Sequence, residues 1–185
     1  MIQNRKKMRL LRIVILVIGA LWVWASAPPP GSITEGKIPA PQKGFLAPNF
    51  TLENLDGGKV TLSDYRGQAV LINLWATWCP PCRAEMPDMQ EAFEMNQERG
   101  FVILAINATN QDHLSAVDNF VKDHNLTFPI LLDSKGEVSQ LYQLRSLPTS
   151  FFVDTEGIIQ DVIVGGPMSG ALLRTRIENL LPEKP

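Results

Sequence analysis

The chain has 185 residues, of which 45% are hydrophobic, and this is enough for one compact domain with a proper core. Two cysteines are too few to form a disulfide-stabilised scaffold. From residue 28 onward there are 12 basic and 19 acidic residues, and this net charge of −7 excludes the basic surface typical of nucleic-acid-binding proteins.

Residues 1–27 have the pattern of a membrane anchor. Basic residues are concentrated between positions 5 and 12, and the apolar run from Leu10 to Ala27 contains 18 residues, close to the roughly 20 of a spanning helix. The basic end predicts a cytoplasmic N-terminus. The alternative is a cleaved signal peptide, since Ala25-Ser26-Ala27 fits a cleavage site, although Pro28 disfavours cleavage. Both alternatives place the rest of the chain outside the cytoplasm, and an uncleaved anchor is favoured.

Residues 28–44 are predicted to be a linker, because they contain five prolines and three glycines. A Pro-rich chain rises about 3.1 Å per residue, so this segment could reach roughly 50 Å from the membrane. Residues 45–185 are then expected to form the folded domain.

The hydrophobic pattern of this domain predicts alternating strands and helices. Nearly continuous apolar runs indicate strands that are buried on both faces, and helical spacing of apolar residues indicates amphipathic helices. The first half of the domain is predicted to contain a hairpin of strands at 50–52 and 60–62, a strand at 69–75, a helix from 79 to about 97 and a strand at 101–106. The second half is predicted to contain a helix to about 124, a strand at 130–132, a short helix at 137–142, a hairpin of strands at 150–153 and 158–164, and a final helix at about 169–181. Asp112 is the predicted N-cap of the helix that ends at about 124. This order predicts an α/β fold in which helices flank a mixed sheet.

The two cysteines form a Cys-Pro-Pro-Cys run directly after a predicted strand. Cys79 is expected at the N-cap of the following helix, where unpaired amides and the helix dipole favour a thiolate, so Cys79 is the predicted attacking sulfur. Cys82, one turn further, is expected to be more buried and to resolve the mixed disulfide. Pro80 and Pro81 delete two amide donors near Cys79, which predicts a less acidic thiol and a comparatively reducing pair.

Metal and haem sites fit this motif poorly. A structural zinc site needs about four ligands, and the chain offers two cysteines with His113 and His124 eleven residues apart. Covalent haem attachment requires a histidine directly after the second cysteine, where this chain has Arg83. No metal or other cofactor is therefore predicted.

The segment Trp75 to Cys82, with Pro87 five residues later, resembles the thioredoxin superfamily, and Ser146 to Ser150 is similar to its cis-proline loop. The full pattern of anchor, early hairpin, Cys-x-x-Cys-x-x-Glu-x-Pro and Leu-Pro-Thr resembles the membrane-anchored TlpA/ResA-type thiol–disulfide oxidoreductases over about residues 45–181. The resemblance implies a thioredoxin-like fold with a central mixed sheet, an N-terminal β-hairpin and an inserted helix.

The resemblance also implies roles for residues outside the cysteine pair. Asn73 stands where thioredoxin has a buried aspartate, and Asn73 cannot titrate. Glu85 lies three residues after Cys82 on the same side of the helix and is predicted to accept the Cys82 proton. A half-buried carboxylate there would have a raised pKa. An exposed helix glutamate without function is the alternative.

Substrate binding is predicted at Trp78 and at the loop residues Leu147, Pro148 and Thr149. The resemblance implies that Pro148 is a cis-proline and that it places the Leu147 backbone against the disulfide, where a substrate strand could pair by β-augmentation. A trans proline that opens a strand is the alternative. Trp78 is expected to shield the Cys79 sulfur and to offer an apolar contact.

The implied partners are disulfide-bearing exported proteins, such as apocytochrome c during cytochrome or oxidase maturation, and a membrane electron donor that restores the reduced pair. Two other functions remain as alternatives. A thiol peroxidase would need a threonine three residues before the reactive cysteine, where this chain has Ala76. A Cu(I)-handling assembly factor could bind copper between the thiols, although no Met or His is placed to supply a third ligand.

Overall fold

The computed structural model describes residues 38–181, so the predicted anchor and most of the predicted linker lie outside the described residues. Seven strands form one mixed sheet. In chain order they are β1 (Thr51–Asn54), β2 (Lys59–Thr61), β3 (Ala69–Trp75), β4 (Phe101–Asn107), β5 (Ile130–Leu132), β6 (Thr149–Val153) and β7 (Ile159–Val164). Across the sheet their order is β2-β1-β5-β4-β3-β6-β7.

Strands β3 and β4 are the centre of the sheet, and all of their residues are buried. They run parallel to each other, and β4 also runs parallel to β5. β6 pairs with the other side of β3 in the antiparallel direction, and β7 pairs antiparallel with β6. Helices cover both faces of this sheet, which explains why β3 and β4 read as continuous apolar runs in the sequence.

Within residues 38–181, four α-helices connect and flank the strands. They are α1 (Pro80–Asn96), α2 (Leu114–Asp123), α3 (Glu137–Leu141) and α4 (Gly170–Glu178). Each strand and helix predicted for the folded domain is present, with ends that differ by a few residues. The predicted helix cap at Asp112 is wrong, because His113 is the N-cap residue of α2 and makes no side-chain capping bond. Within residues 38–181, none of the helices is both long and apolar enough to cross a membrane.

The sheet separates two hydrophobic clusters. Alternate residues of β3 point to opposite faces, so Leu71 and Trp75 join the cluster that contains both cysteines and Met86 of α1. Ile72 belongs to the other cluster, beneath α3. Asn73 shares its face with Leu71 and Trp75, and the strand therefore directs this polar side chain toward the cysteine helix.

The end of the predicted linker is bonded to the domain. Pro39 bridges to Leu46, which in turn bridges to Ile158, and the Gly44 amide donates to the carbonyl of Ile159 at 2.7 Å. Residues 39–44 therefore extend the edge of the folded domain, and only the segment before them remains as predicted linker.

Tyr142 fastens this N-terminal region to the core. Its side chain is buried, its hydroxyl donates to the Pro48 carbonyl at 2.7 Å, and its ring makes edge contacts with Phe50 and Phe151. Burial raises the pKa of Tyr142, which keeps the phenol protonated and able to donate.

We expect Tyr142→Phe to lower the free energy of unfolding by about 1–2 kcal/mol, because the Pro48 carbonyl would lose its donor inside the core. Urea denaturation followed by circular dichroism measures this loss. Tyr65→Phe is the matched control, since the half-buried Tyr65 hydroxyl makes no hydrogen bond within residues 38–181, and a change below about 0.5 kcal/mol is expected. Equal losses of unfolding free energy in the two variants would contradict a stabilising role for the Tyr142 hydrogen bond.

Candidate active site

Four loops meet at one edge of the sheet. Because β3 and β4 run parallel, the segments that follow them, residues 76–79 and 108–113, emerge at the same edge. β6 runs antiparallel to β3 and β7 antiparallel to β6, so residues 144–148 before β6 and residues 165–169 after β7 also lie there. The predicted site residues lie in these loops, in the first two turns of α1 or at the start of β6.

Cys79 and Cys82 form a disulfide at the start of α1, with their Cα atoms 5.3 Å apart. Cys79 is the N-cap residue of the helix, and its sulfur accepts a hydrogen bond from the Cys82 amide at 3.3 Å. Both cysteines are buried, and Cys82 is the more deeply buried of the two. The predicted position of Cys79 and the greater burial of Cys82 are confirmed.

Pro80 and Pro81 occupy the first two positions of α1 and have no amide hydrogen. The Cys82 amide is consequently the first backbone donor of the helix that can reach the Cys79 sulfur. The helix would therefore stabilise a Cys79 thiolate in two ways, through this one hydrogen bond and through the partial positive charge of its N-terminus.

The Glu85 side chain is almost completely buried, with 1% of its surface exposed, although a half-buried position was predicted. The backbone amide of Met168 donates to its Oε2 at 3.0 Å, and the side chain of Asn73 donates to its Oε1 at 2.8 Å. Burial raises the pKa of Glu85, and the hydrogen bonds from Met168 and Asn73 only partly oppose this effect. The carboxylate therefore holds a proton more readily than an exposed glutamate would.

Asn73 links the cysteine helix to the sheet. Its fully buried Nδ2 donates to Glu85 and also to the Ser150 hydroxyl at 2.9 Å, so both amide hydrogens are used. Within residues 38–181 its Oδ1 has no hydrogen-bond partner. Asn73 thus holds the Glu85 carboxylate without supplying a positive charge. That it cannot titrate was clear from the sequence, but its contact with Glu85 was not.

The predicted cis-proline is confirmed, since the Leu147–Pro148 peptide bond is cis. Gly166 packs against this proline from the loop after β7. A Cβ at Gly166 would lie 2.7 Å from Pro148 Cγ and 3.0 Å from Glu85 Oε2, so a larger residue would have to displace one of them. Sequence reasoning missed this loop, although the Gly-Gly-Pro run that contains a second cis bond, Gly166–Pro167, is an unusual signal.

A groove of about 360 Å³ runs beside Cys79 and is lined by Trp78 and Leu147. Trp78 is 55% exposed, and its Nε1 donates to the Gln111 carbonyl at 2.9 Å. Thr149 does not line the groove; it is buried as the first residue of β6, and its hydroxyl donates to the Ser146 carbonyl at 2.8 Å. The structure therefore places Trp78 and Leu147 beside Cys79 and gives Thr149 a supporting position in the same loop.

Asp112 holds the loop that leads to Cys79. Its carboxylate accepts bonds from the Thr77 amide at 2.7 Å and the Thr77 hydroxyl at 2.6 Å, and further bonds from Asn107 and the His113 amide. Burial by itself raises the pKa of Asp112, but these hydrogen bonds outweigh it and hold the pKa below its ordinary value. Asp112 was predicted as a helix cap and instead fixes the segment between β3 and the disulfide.

Comparison with known proteins agrees with this geometry. The AhpC/TSA family model matches residues 44–162. Thiol-disulfide oxidoreductase ResA of Bacillus thuringiensis subsp. konkukian is 40% identical over 164 residues, which cover 85% of this chain and 89% of the relative. A thiol:disulfide interchange protein of the thioredoxin family from Chlorobium tepidum has a TM-score of 0.68 at 30% identity, covering 74% of this chain and 96% of that one. StoA from Bacillus subtilis has a TM-score of 0.62 at 31% identity, covering 70% and 96%.

These likenesses, together with the disulfide at a helix N-terminus, define the class: the protein is an enzyme, a thioredoxin-like thiol–disulfide oxidoreductase. More closely, the chain belongs to the AhpC/TSA family and to the ResA-type thiol–disulfide oxidoreductases. The predicted fold class, family and enzyme class are thereby confirmed.

We expect Asp112→Asn to lower the free energy of unfolding by about 1–3 kcal/mol, because the new amide group would face the amides that now donate to Asp112. Chemical denaturation of the oxidised protein measures the loss. Asp118→Asn is the matched control, since Asp118 forms an exposed pair with Lys122 on α2 and its loss should cost about 0.5 kcal/mol or less. If Asp112→Asn lowers the free energy of unfolding no more than Asp118→Asn does, Asp112 does not hold the loop before Cys79 in place.

The raised pKa of Glu85 predicts a pH-dependent cost to stability. A group whose folded-state pKa is raised contributes stability below its ordinary pKa, 4.5 for Glu85, and loses that contribution as the pH rises through the folded pKa. We expect the unfolding free energy of the oxidised protein to fall over this range relative to Glu85→Gln. Glu91→Gln, at an exposed position of α1, is the matched control for losing a helix carboxylate. If the unfolding free energies of wild type and Glu85→Gln change in parallel with pH, the pKa of Glu85 is not raised in the folded protein.

Proposed function

We propose that this enzyme reduces disulfides of exported proteins and works outside the cytoplasm, anchored by residues 1–27. The observation that carries the proposal is the buried Glu85 carboxylate, one turn beyond Cys82, with a raised pKa. A carboxyl group that titrates closer to neutrality is suited to accept the proton of a buried thiol and to return it. The alternative of an exposed helix glutamate no longer applies to Glu85.

The proposed reaction is a pair of thiol–disulfide exchanges. The Cys79 thiolate attacks one sulfur of the target disulfide, the target S–S bond breaks, and one target thiolate leaves. Glu85 accepts the proton of Cys82, and the Cys82 thiolate attacks the Cys79–target bond. The second target thiolate then leaves and takes up a proton, so the target gains two electrons and the Cys79–Cys82 disulfide forms.

The geometry supports Cys79 as the attacking residue. Its sulfur lies at the helix N-terminus and accepts a hydrogen bond from the Cys82 amide, and Cys79 borders the groove that Trp78 also lines. Cys82 is completely buried and does not line that groove. The absence of amide donors at Pro80 and Pro81 supports a thiolate that is only moderately stabilised, and hence a pair that gives up electrons readily.

The cis-proline loop supports the docking of an extended target segment. Within residues 38–181, the amide and carbonyl of Leu147 make no hydrogen bond. A partner backbone could therefore pair there as an added strand beside Cys79, while Trp78 and Leu147 supply apolar contacts.

The cellular setting belongs to the same proposal. The charge asymmetry of residues 1–27 supports a single anchoring helix with the catalytic domain on the outer side. Cytosolic thiols do not reach that compartment, so a membrane electron donor must reduce the disulfide. Apocytochrome c and oxidase assembly proteins are the proposed targets because of the resemblance to ResA-type enzymes.

Peroxide reduction is a second candidate, favoured by the AhpC/TSA match. Ala76, three residues before Cys79, has no hydroxyl to assist that chemistry.

Copper binding has less support. Among residues 38–181, no group of three His, Cys, Asp or Glu side chains is placed to hold a metal ion.

Trapping tests the proposed function. The full chain with Cys82→Ser, produced in cells and isolated with the proteins bound to it, should retain target proteins as mixed disulfides on Cys79, because the resolving thiol is gone. Cys79→Ser is the control and should retain none. Mass spectrometry identifies the targets, and an exclusively cytoplasmic set would contradict the proposed location.

Kinetics separate the candidate reactions and test Glu85. With a protein disulfide as substrate, Glu85→Gln should slow the exchange by about 100-fold or more, as expected for a lost proton acceptor, whereas Glu91→Gln should leave the rate unchanged. Faster turnover with hydrogen peroxide than with protein disulfides would favour the peroxidase. An unchanged rate in Glu85→Gln would remove Glu85 from the mechanism.

A further inference from the structure

The groove beside Cys79 differs in charge from the rest of the domain. Residues 38–181 contain 10 basic and 17 acidic residues, so the domain as a whole repels anions. The groove, in contrast, is lined by nine residues, of which Arg145 is charged and none is acidic. Its other walls are mainly apolar, with Trp78, Leu144 and Leu147 among them. An acidic protein therefore presents a cationic, apolar surface next to its reactive sulfur.

The Arg145 side chain is also free to bind a partner. Its side chain is exposed, and within residues 38–181 it makes no hydrogen bond or ion pair. Arg83, the other arginine near the disulfide, is engaged: its Nη1 donates to the Thr77 carbonyl at 3.2 Å, and its guanidinium lies 5.0 Å from the centre of the Phe120 ring. Arg145 is thus the guanidinium that remains available to a partner in this groove.

We propose that Arg145 is a specificity determinant, and that the groove takes a target segment with a carboxylate within two or three residues of the attacked cysteine. Arg145 lies two residues before Leu147, and both residues line the groove with Cys79. An extended chain advances about 3.3 Å per residue, so side chains two or three residues from a cysteine at Cys79 would extend along the groove that Arg145 also lines. A carboxylate matches the forked donors of a guanidinium in charge and geometry.

This proposal rests on the proposed function and narrows its substrates to acidic, apolar segments. The redox chemistry is unchanged: the Cys79–Cys82 dithiol supplies two electrons, the target disulfide receives them, and two target thiols result. Arg145 takes no part in bond breaking and acts only on the encounter and positioning of the target. Lysine near the target cysteine should be disfavoured, because Arg145 would repel it.

The test uses the full chain in detergent, reduced with dithiothreitol and then freed of it. The substrates are disulfide-linked homodimers of a capped, otherwise uncharged peptide with one cysteine and with Glu, Gln or Lys two residues before or two residues after it. Second-order rate constants for release of the peptide thiol are divided by the rate of each peptide with dithiothreitol alone, which removes the intrinsic reactivity of the disulfide.

Wild type should reduce the Glu peptides about two- to fivefold faster than the Gln peptides at low ionic strength, in at least one of the two positions. This ratio should fall toward one near 1 M salt, where charges are screened within about 3 Å. Arg145→Gln should abolish the preference, and Arg145→Glu should reverse it in favour of Lys. Arg174→Gln, at an exposed position of α4 outside the groove, should keep the wild-type ratio.

The outcomes separate this inference from the function on which it rests. Reduction of all peptides at equal rates by wild type would overturn the role of Arg145 and leave the oxidoreductase function intact. A Glu preference that persists in Arg145→Gln would also overturn it. If wild type reduces no peptide faster than Cys79→Ser does, the proposed function itself fails. Circular dichroism of Arg145→Gln confirms that a changed ratio does not come from unfolding.

Discussion

A carboxylate held in an almost dry site is the constraint on which the rest of this structure depends. Burying Glu85 is costly, because water is replaced by two hydrogen bonds from neutral donors and no cation among residues 38–181 is paired with it. The donors come from distant parts of the chain: Asn73 lies on the central strand, and Met168 lies in the loop after the last strand. The helix that begins at the disulfide is therefore locked to the sheet on one side and to a C-terminal loop on the other. Neutral donors hold the carboxylate in place and still leave its pKa raised.

The direction of the strands explains why these parts meet. Parallel strands β3 and β4 end at one edge, and antiparallel strands β6 and β7 begin and end at that same edge. Each loop at this edge has a separate task. The loop after β4 supplies Asp112, which fixes the segment before Cys79. The loop before β6 supplies the cis-proline, and the loop after β7 supplies Gly166, whose lack of a side chain lets Pro148 and Glu85 approach it.

Burial and exposure divide the site into two parts. Cys82, Glu85 and Asn73 are shielded from water, which suits proton transfer within the protein. Cys79 borders a groove whose walls include the exposed Trp78 and Arg145, which suits contact with another protein. In the proposed function, proton transfer and target recognition would thus depend on different residues of one short region.

The sequence by itself determined the strand and helix order, the redox motif and the N-cap position of Cys79, because these depend on local apolar periodicity and on a short motif. The cis bond at Pro148 was expected from the resemblance of its loop to the thioredoxin superfamily. Sequence reasoning singled out Glu85 but underestimated its burial, and it misassigned Asp112 as a helix cap. The contacts of Asn73 with Glu85 and Ser150, of Met168 with Glu85 and of Asp112 with Thr77 join residues that are 12 to 83 positions apart in the chain. Such contacts were decided only by the tertiary structure, because the pairing of the strands sets which distant loops meet at the same edge of the sheet.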